Sequence, residues 1–128
     1  MTLLLDTHTL LWFLTDDASL SARSRQAIED PANAKHVSAA SLWETAIKAG
    51  LGKLNLPAPY ADIFPQQLEI NGFSLLSITP AHCATLLTLP LHHRDPFDRI
   101  LVAQAKTEGM TLVTDDGKLR AYDVPLRW

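Results

Sequence analysis

Leu3-Leu4-Leu5 is apolar at three successive positions and stops at Asp6. A strand with one wet face alternates apolar and polar residues, so an unbroken run marks a strand covered on both faces. Residues 111–114 repeat the pattern near the other end of the chain, where Leu112-Val113-Thr114 leads into Asp115-Asp116. Strands of this kind pair in parallel and require helical crossovers above and below the sheet.

The intervening segments supply those helices. Residues 9–14 space Leu10, Leu11 and Leu14 at helical intervals, and residues 21–29 run from a cap at Ser21 to a stop at Asp30-Pro31. His36-Val37 is a short strand. The next helix starts from Ser38 or Ser41, turns Leu42, Trp43, Ala46 and Ala49 inward, and breaks at Gly50, Gly52 and Pro57. Residues 60–70 form one helix on Ile63, Phe64 and Leu68, and Asn71-Gly72 turns the chain into a strand over 73–78. Thr79-Pro80 opens a helix that ends before Pro90, since proline is well placed at the first helical position. Asp95-Pro96 opens another, through Ile100, Leu101 and Ala105 to Gly109. A short helix over 115–122 and an edge strand at Val124 complete an α/β chain that reads as one domain, residues 1–128.

Composition narrows the function classes. No apolar stretch approaches the ~18 residues of a membrane helix, and no basic start or small-residue cleavage site marks a signal peptide, so the cytoplasm is the expected compartment. Cys83 is the single cysteine, which excludes an internal disulfide and reads as a small buried side chain in preference to a reactive thiol. The net charge of −3 is unusual for a nucleic-acid binder. Two bound Mg²⁺ ions would move it to about +1, and Lys48, Lys53, Arg94, Arg99 and Lys118 lie near the acids in sequence.

The acids carry the chemistry. Asp6, Glu44, Asp95, Asp98, Asp115 and Asp116 stand at strand ends, at helix starts or inside a helix. In an open parallel sheet the ligand crevice lies at the carboxyl ends of the strands, and carboxylates gathered there suit hard divalent cations. Each acid also has an ordinary role. Asp95 and Asp98 fit a capped first turn, Asp115 or Asp116 fits the cap of the last helix, and Glu44 is spaced for an ion pair with Lys48. Asp6 directly follows three leucines and needs a partner at the edge of the core, or caps the helix that follows. One metal site explains four acids together. Thr114 is placed to orient water at such a site or to cap a helix, His93 to donate to an acid or to substrate or to sit at an interface with no catalytic role, and Arg99 to contact phosphate or neutralise Asp95 or Asp98. Trp12 and Trp43 are candidates for base stacking or for core and subunit contacts.

The stretches Leu-Leu-Leu-Asp6-Thr-His, Ser41-Leu-Trp-Glu44, His-Arg-Asp95-Pro-Phe-Asp98-Arg-Ile-Leu-Val-Ala-Gln-Ala and Leu-Val-Thr114-Asp115-Asp116 together resemble the PIN-domain family. Within it they are similar to the VapC-type toxins of bacterial toxin–antitoxin pairs. The similarity spans nearly the whole chain. It implies a three-layer α/β/α sandwich with a central parallel sheet and a Mg²⁺- or Mn²⁺-dependent endoribonuclease. It places the family's metal-holding and catalytic acids on Asp6, Glu44, Asp98 and Asp116, with Asp115 competing for the fourth place and Asp95 supporting. It also implies a homodimer and a cognate antitoxin that blocks the site.

The chemistry expected is in-line attack by water on an RNA phosphodiester, leaving a 5′-phosphate and a 3′-hydroxyl, with charge neutralised by the metal. Two other readings compete. A phosphatase with Asp6 as nucleophile would want a second carboxylate two residues on, where His8 stands. A non-catalytic PIN-like binding module would leave the acids as caps.

Overall fold

The structure, a computed structural model, describes residues 1–128. Five strands form one sheet: β1 (Thr2–Leu5), β2 (Ala34–Ser38), β3 (Ser74–Leu76), β4 (Thr111–Val113) and β5 (Leu126–Arg127). The helices are α1 (Thr7–Leu14), α2 (Ala22–Glu29), α3 (Ala39–Gly50), α4 (Tyr60–Ile63), α5 (Gln66–Ile70), α6 (Pro80–Thr88) and α7 (Pro96–Glu108), followed by a 3₁₀ turn at Gly117–Ala121.

The sheet order is β3-β2-β1-β4-β5, and every pairing is parallel. β1 is central, and Leu3, Leu4 and Leu5 have no exposed surface. Strand alternation divides them between two cores. Leu3 and Leu5 pack with Val37 and Val113 against Leu10, Ala27, Ile28, Ile63 and Leu68. Leu4 faces the other way with Leu112, onto Leu101, Val102 and Ala105 of α7. The result is the three-layer α/β/α sandwich, and each buried leucine contributes about 1.5–3 kcal/mol. No helix is long and apolar enough to cross a membrane.

Helix ends follow local chemistry. Ser21 caps α2 by accepting from Ser24 N, and Thr79 caps α6 in a reciprocal capping box with His82. α7 starts on the Asp95 cap with Pro96 in its first turn and stops at Gly109, whose φ of 67° is left-handed.

Five expectations are corrected. Cys83, expected to be buried, is exposed on α6. Residues 60–70 are two short helices, because Pro65 has no N–H to continue the first. Trp43 and Ala46 point outward, with Trp43 63% exposed, while the buried face of α3 is Ala40, Ser41, Glu44 and Thr45. The helix thus turns polar side chains inward. Val124 lies before β5, whose residues Leu126 and Arg127 pair with Leu112 and Val113. The last helix is only the five-residue 3₁₀ turn.

The chain order positions the site. β1, β2 and β3 step outward on one side of the sheet, and the chain then returns to lay β4 and β5 on the other. The direction reverses between β1 and β4, where a parallel sheet opens a crevice at its carboxyl ends. Asp6 immediately follows β1 and Thr114 immediately follows β4.

Candidate metal centre

Asp6 is 5% exposed, and its backbone N–H donates to Val113 O, locking the two strand ends together. Its carboxylate caps α1: Oδ1 accepts from Thr9 N at 2.7 Å. Oδ2 accepts from the Thr114 hydroxyl at 2.5 Å. Burial pushes this carboxyl above the usual range, while the bonds from Thr114 and Thr9 and the charge of His8 work against that rise. Each oxygen keeps a further lone pair for a ligand.

α7 and the segment after β4 supply the next groups. His93 Nε2 lies 3.1 Å from Asp116 Oδ2 and 3.4 Å from Asp98 Oδ2. His93 Nδ1 accepts from Asp95 N, so the neutral ring carries its proton on Nε2, toward the acids. The donor atoms of His93, Asp98 and Asp116 all lie within 4.8 Å of one another. Asp98 is pushed up to about 7, first by burial and then by the charge of Asp95; Asp6 and Glu44 add to the rise and His93 opposes it. Of the two adjacent acids, Asp116 is the one against His93, while Asp115 is exposed at the rim. Asp116 also caps the 3₁₀ turn, accepting from Lys118 N at 3.0 Å, and its own N–H donates to Thr114 Oγ1.

Asp6, His8, His93, Asp98, Asp115, Asp116, Gly117 and Lys118 line one cleft of about 720 Å³ with no apolar side chain. Neither Asp98 nor Asp116 is paired with a lysine or arginine. The carboxylate oxygens of Asp98 and Asp116, oriented by the His93 N–H and short of positive charge, suit a hard divalent cation.

The other candidates sit around this centre. Asp95 is the α7 cap, with Oδ1 accepting from Phe97 N at 2.8 Å and from Asp98 N at 3.3 Å. Glu44 is 4% exposed on α3 and outside the trio; Oε1 accepts from the Thr7 hydroxyl and Oε2 from Lys48 Nζ, each at 2.6 Å. The spacing with Lys48 suggested an ordinary surface pair, whereas the glutamate is buried. Arg99 is turned away from the acids. Its guanidinium donates to Pro90 O, Leu89 O and the Tyr122 hydroxyl, which accepts also from His93 N. It braces the loop that presents His93 rather than contacting Asp95 or Asp98. Trp43 meets Phe97 edge to face outside the cleft, and Trp12 stacks on His8 near its rim. Sequence reasoning missed Thr7 and Tyr122. Thr7 reads as a first helical residue, and the position of Tyr122 under the His93 loop depends on tertiary packing alone.

Comparison with known proteins identifies the family and the fold. The PIN domain family model matches residues 3–125. The chain is 35% identical to ribonuclease VapC22 of Mycobacterium tuberculosis over 125 residues, covering 97% of this chain and 94% of that protein. Among solved structures, VapBC2 from Rickettsia felis, bound to a DNA fragment from their promoter, superposes with a TM-score of 0.74 at 16% identity, covering 98% of this chain and 97% of that one. A toxin–antitoxin complex from Klebsiella pneumoniae superposes with a TM-score of 0.60 at 19% identity, covering 94% and 92%. These likenesses reach across both cores and all four acid-bearing segments, and the chain belongs to the PIN-domain family, in its VapC-type ribonuclease branch.

Proposed function

We propose that this protein is a divalent-metal-dependent endoribonuclease, the toxin of a toxin–antitoxin pair, whose ion is held by Asp6, Asp98 and Asp116. The observation that carries this reading is the convergence of the Asp98 and Asp116 carboxylates on His93, all within 4.8 Å, in a cleft that Asp6 also lines. Glu44 belongs to the same acidic set and forms its α3 wall together with Lys48. The ion is Mg²⁺ or Mn²⁺, as oxygen-rich donors prefer. The RNA is the substrate, a cognate antitoxin is the restraining partner, and a homodimer is the working assembly.

When bound, the metal supplies positive charge to the phosphodiester and makes water more acidic. The chain's own groups do the rest. Thr114 and the α1 amide of Thr9 hold the Asp6 carboxylate in one orientation. His93, with its tautomer set by Asp95 N, orients Asp116 and Asp98. Lys118, exposed at the rim, meets the RNA backbone. Water attacks phosphorus as the P–O3′ bond breaks, a carboxylate of the set takes the proton of that water, and the departing O3′ takes a proton from solvent. The products are a 5′-phosphate and a 3′-hydroxyl.

The test is cleavage of a mixed RNA pool by purified protein with Mn²⁺ or EDTA, beside Asp98→Asn. Metal-dependent internal cleavage, lost in the variant, is the expected result. Metal-independent cleavage, or cleavage retained by Asp98→Asn, rejects the assignment. Binding of RNA without cleavage would favour the non-catalytic module.

A further inference from the structure

Glu44 differs from the other acids in having a cation from its own chain. Its carboxylate is 4% exposed, with one oxygen on the Thr7 hydroxyl and the other on the Lys48 ammonium at 2.6 Å. Pairs at this helical spacing are usually solvated on both sides and hold little energy. Here the lysine reaches inward, and its side chain is 34% exposed against 5% for the glutamate. The bond to Glu44 is the main cause that raises the Lys48 pKa, and the charges of Asp95 and Asp98 add to it. Asp98 and Asp116, by contrast, have only His93 as a basic neighbour within ion-pair distance.

We infer that the Lys48 ammonium takes the place of a second divalent ion, so that the centre binds one ion at Asp6, Asp98 and Asp116 while Glu44 is neutralised from within. This inference rests on the metal-site reading above. A divalent ion approaching Glu44 would have to displace an ammonium already in hydrogen-bond contact, and would meet its positive charge before reaching the carboxylate. Removing the ammonium leaves a buried, uncompensated carboxylate beside the acids of α7. That arrangement recruits a second cation.

Calorimetry and native mass spectrometry with Mn²⁺, without RNA, test this through stoichiometry. The natural protein is expected to bind one ion per chain, Lys48→Met two, and the double variant Glu44→Gln/Lys48→Met one. The double variant removes a neutral pair, so its affinity should fall far less than that of Asp98→Asn. Two ions on the natural protein, or one on Lys48→Met, overturns the inference while leaving the metal site intact. A double variant whose affinity falls as far as that of Asp98→Asn makes Glu44 a direct ligand and also overturns it. Loss of the metal-site reading has a different signature: no Mn²⁺ uptake by the natural protein, or full uptake by Asp98→Asn. If Lys48→Met does not fold, the natural and double variants still decide between one ion and two and between ligand and non-ligand.

Discussion

The Thr114 hydroxyl donates to Asp6 Oδ2 at 2.5 Å, joining residues 108 positions apart at the ends of β4 and β1. Thr114 Oγ1 also accepts from Asp116 N at 3.1 Å. One side chain therefore sets the spacing of two acids across the switch point of the sheet. Thr114→Val preserves the shape and removes both bonds. Loss of a bond to a buried carboxylate should lower stability by about 1–3 kcal/mol, read from urea unfolding, and RNA cleavage should fall at least tenfold. Thr114→Ser should recover most of both. A valine variant with natural stability and rate would show that Asp6 is positioned by Thr9 alone.

Asp95 and Asp98 separate by role. Asp95 spends one oxygen on two α7 amides, so Asp95→Ala should cost about 0.5–2 kcal/mol of stability. Asp98→Asn should abolish cleavage without that cost, because it removes a charge repelled by its neighbours. Activity lost at Asp95 and kept at Asp98, with purified folded protein, would reverse the assignment.

Much of this layout was legible in sequence because it depends on local chemistry. An unbroken leucine run demanded a two-faced strand, Asp95-Pro96 demanded a helix start, and Gly109 a helix stop. Asp6 was legible because a carboxylate beside three buried leucines must find partners. The misread parts depend on context. α3 buries Ser41, Glu44 and Thr45 while showing Trp43 to solvent, which inverts the apolar periodicity on which a sequence reading relies. The inward polar face is hydrogen-bonded to Thr7 and Lys48, and no spacing rule reveals a partner on α1. The Arg99 bonds were not legible because two of its acceptors are the carbonyls of Leu89 and Pro90, and carbonyls are invisible to residue-type reasoning.

Arg99 provides a third prediction. It donates to two carbonyls and to the Tyr122 hydroxyl, all in the packing under the His93 loop. Arg99→Met should lower the melting temperature. It should leave KM for RNA unchanged and reduce kcat through a loosened His93. A raised KM at natural stability would instead make Arg99 a phosphate contact.

Stability of the metal-free protein should depend on pH through Asp98. Its folded pKa of about 7 lies above the usual 3.8, so the folded state holds this proton more tightly than the unfolded chain. The penalty for ionising it is absent below about pH 4, grows as pH rises toward 7, and is complete above 7. Each tenfold in proton affinity is about 1.4 kcal/mol, which sets a ceiling on the order of 4 kcal/mol. With EDTA present, the urea midpoint should therefore fall between pH 5 and pH 8 by more in the natural protein than in Asp98→Asn. Identical slopes would remove Asp98 as the titrating group.

Metal should reverse that penalty. An ion competes with the proton for the same carboxylates, so Mn²⁺ affinity should rise as pH passes through 7. Binding to the folded state alone stabilises it by roughly 2.7 kcal/mol at a hundredfold excess over the dissociation constant. For the natural protein, Mn²⁺ in place of EDTA should raise the melting temperature by several degrees at pH 8 and by less at pH 6. The double variant Asp6→Asn/Asp98→Asn should melt higher than the natural protein in EDTA, because the repulsion and burial cost are gone, and should gain little from Mn²⁺. Both effects come from one cause, since the negative charge that disfavours the empty centre is the charge that attracts the ion. Equal Mn²⁺ shifts in the two proteins would place the ion outside the β1–β4 crevice.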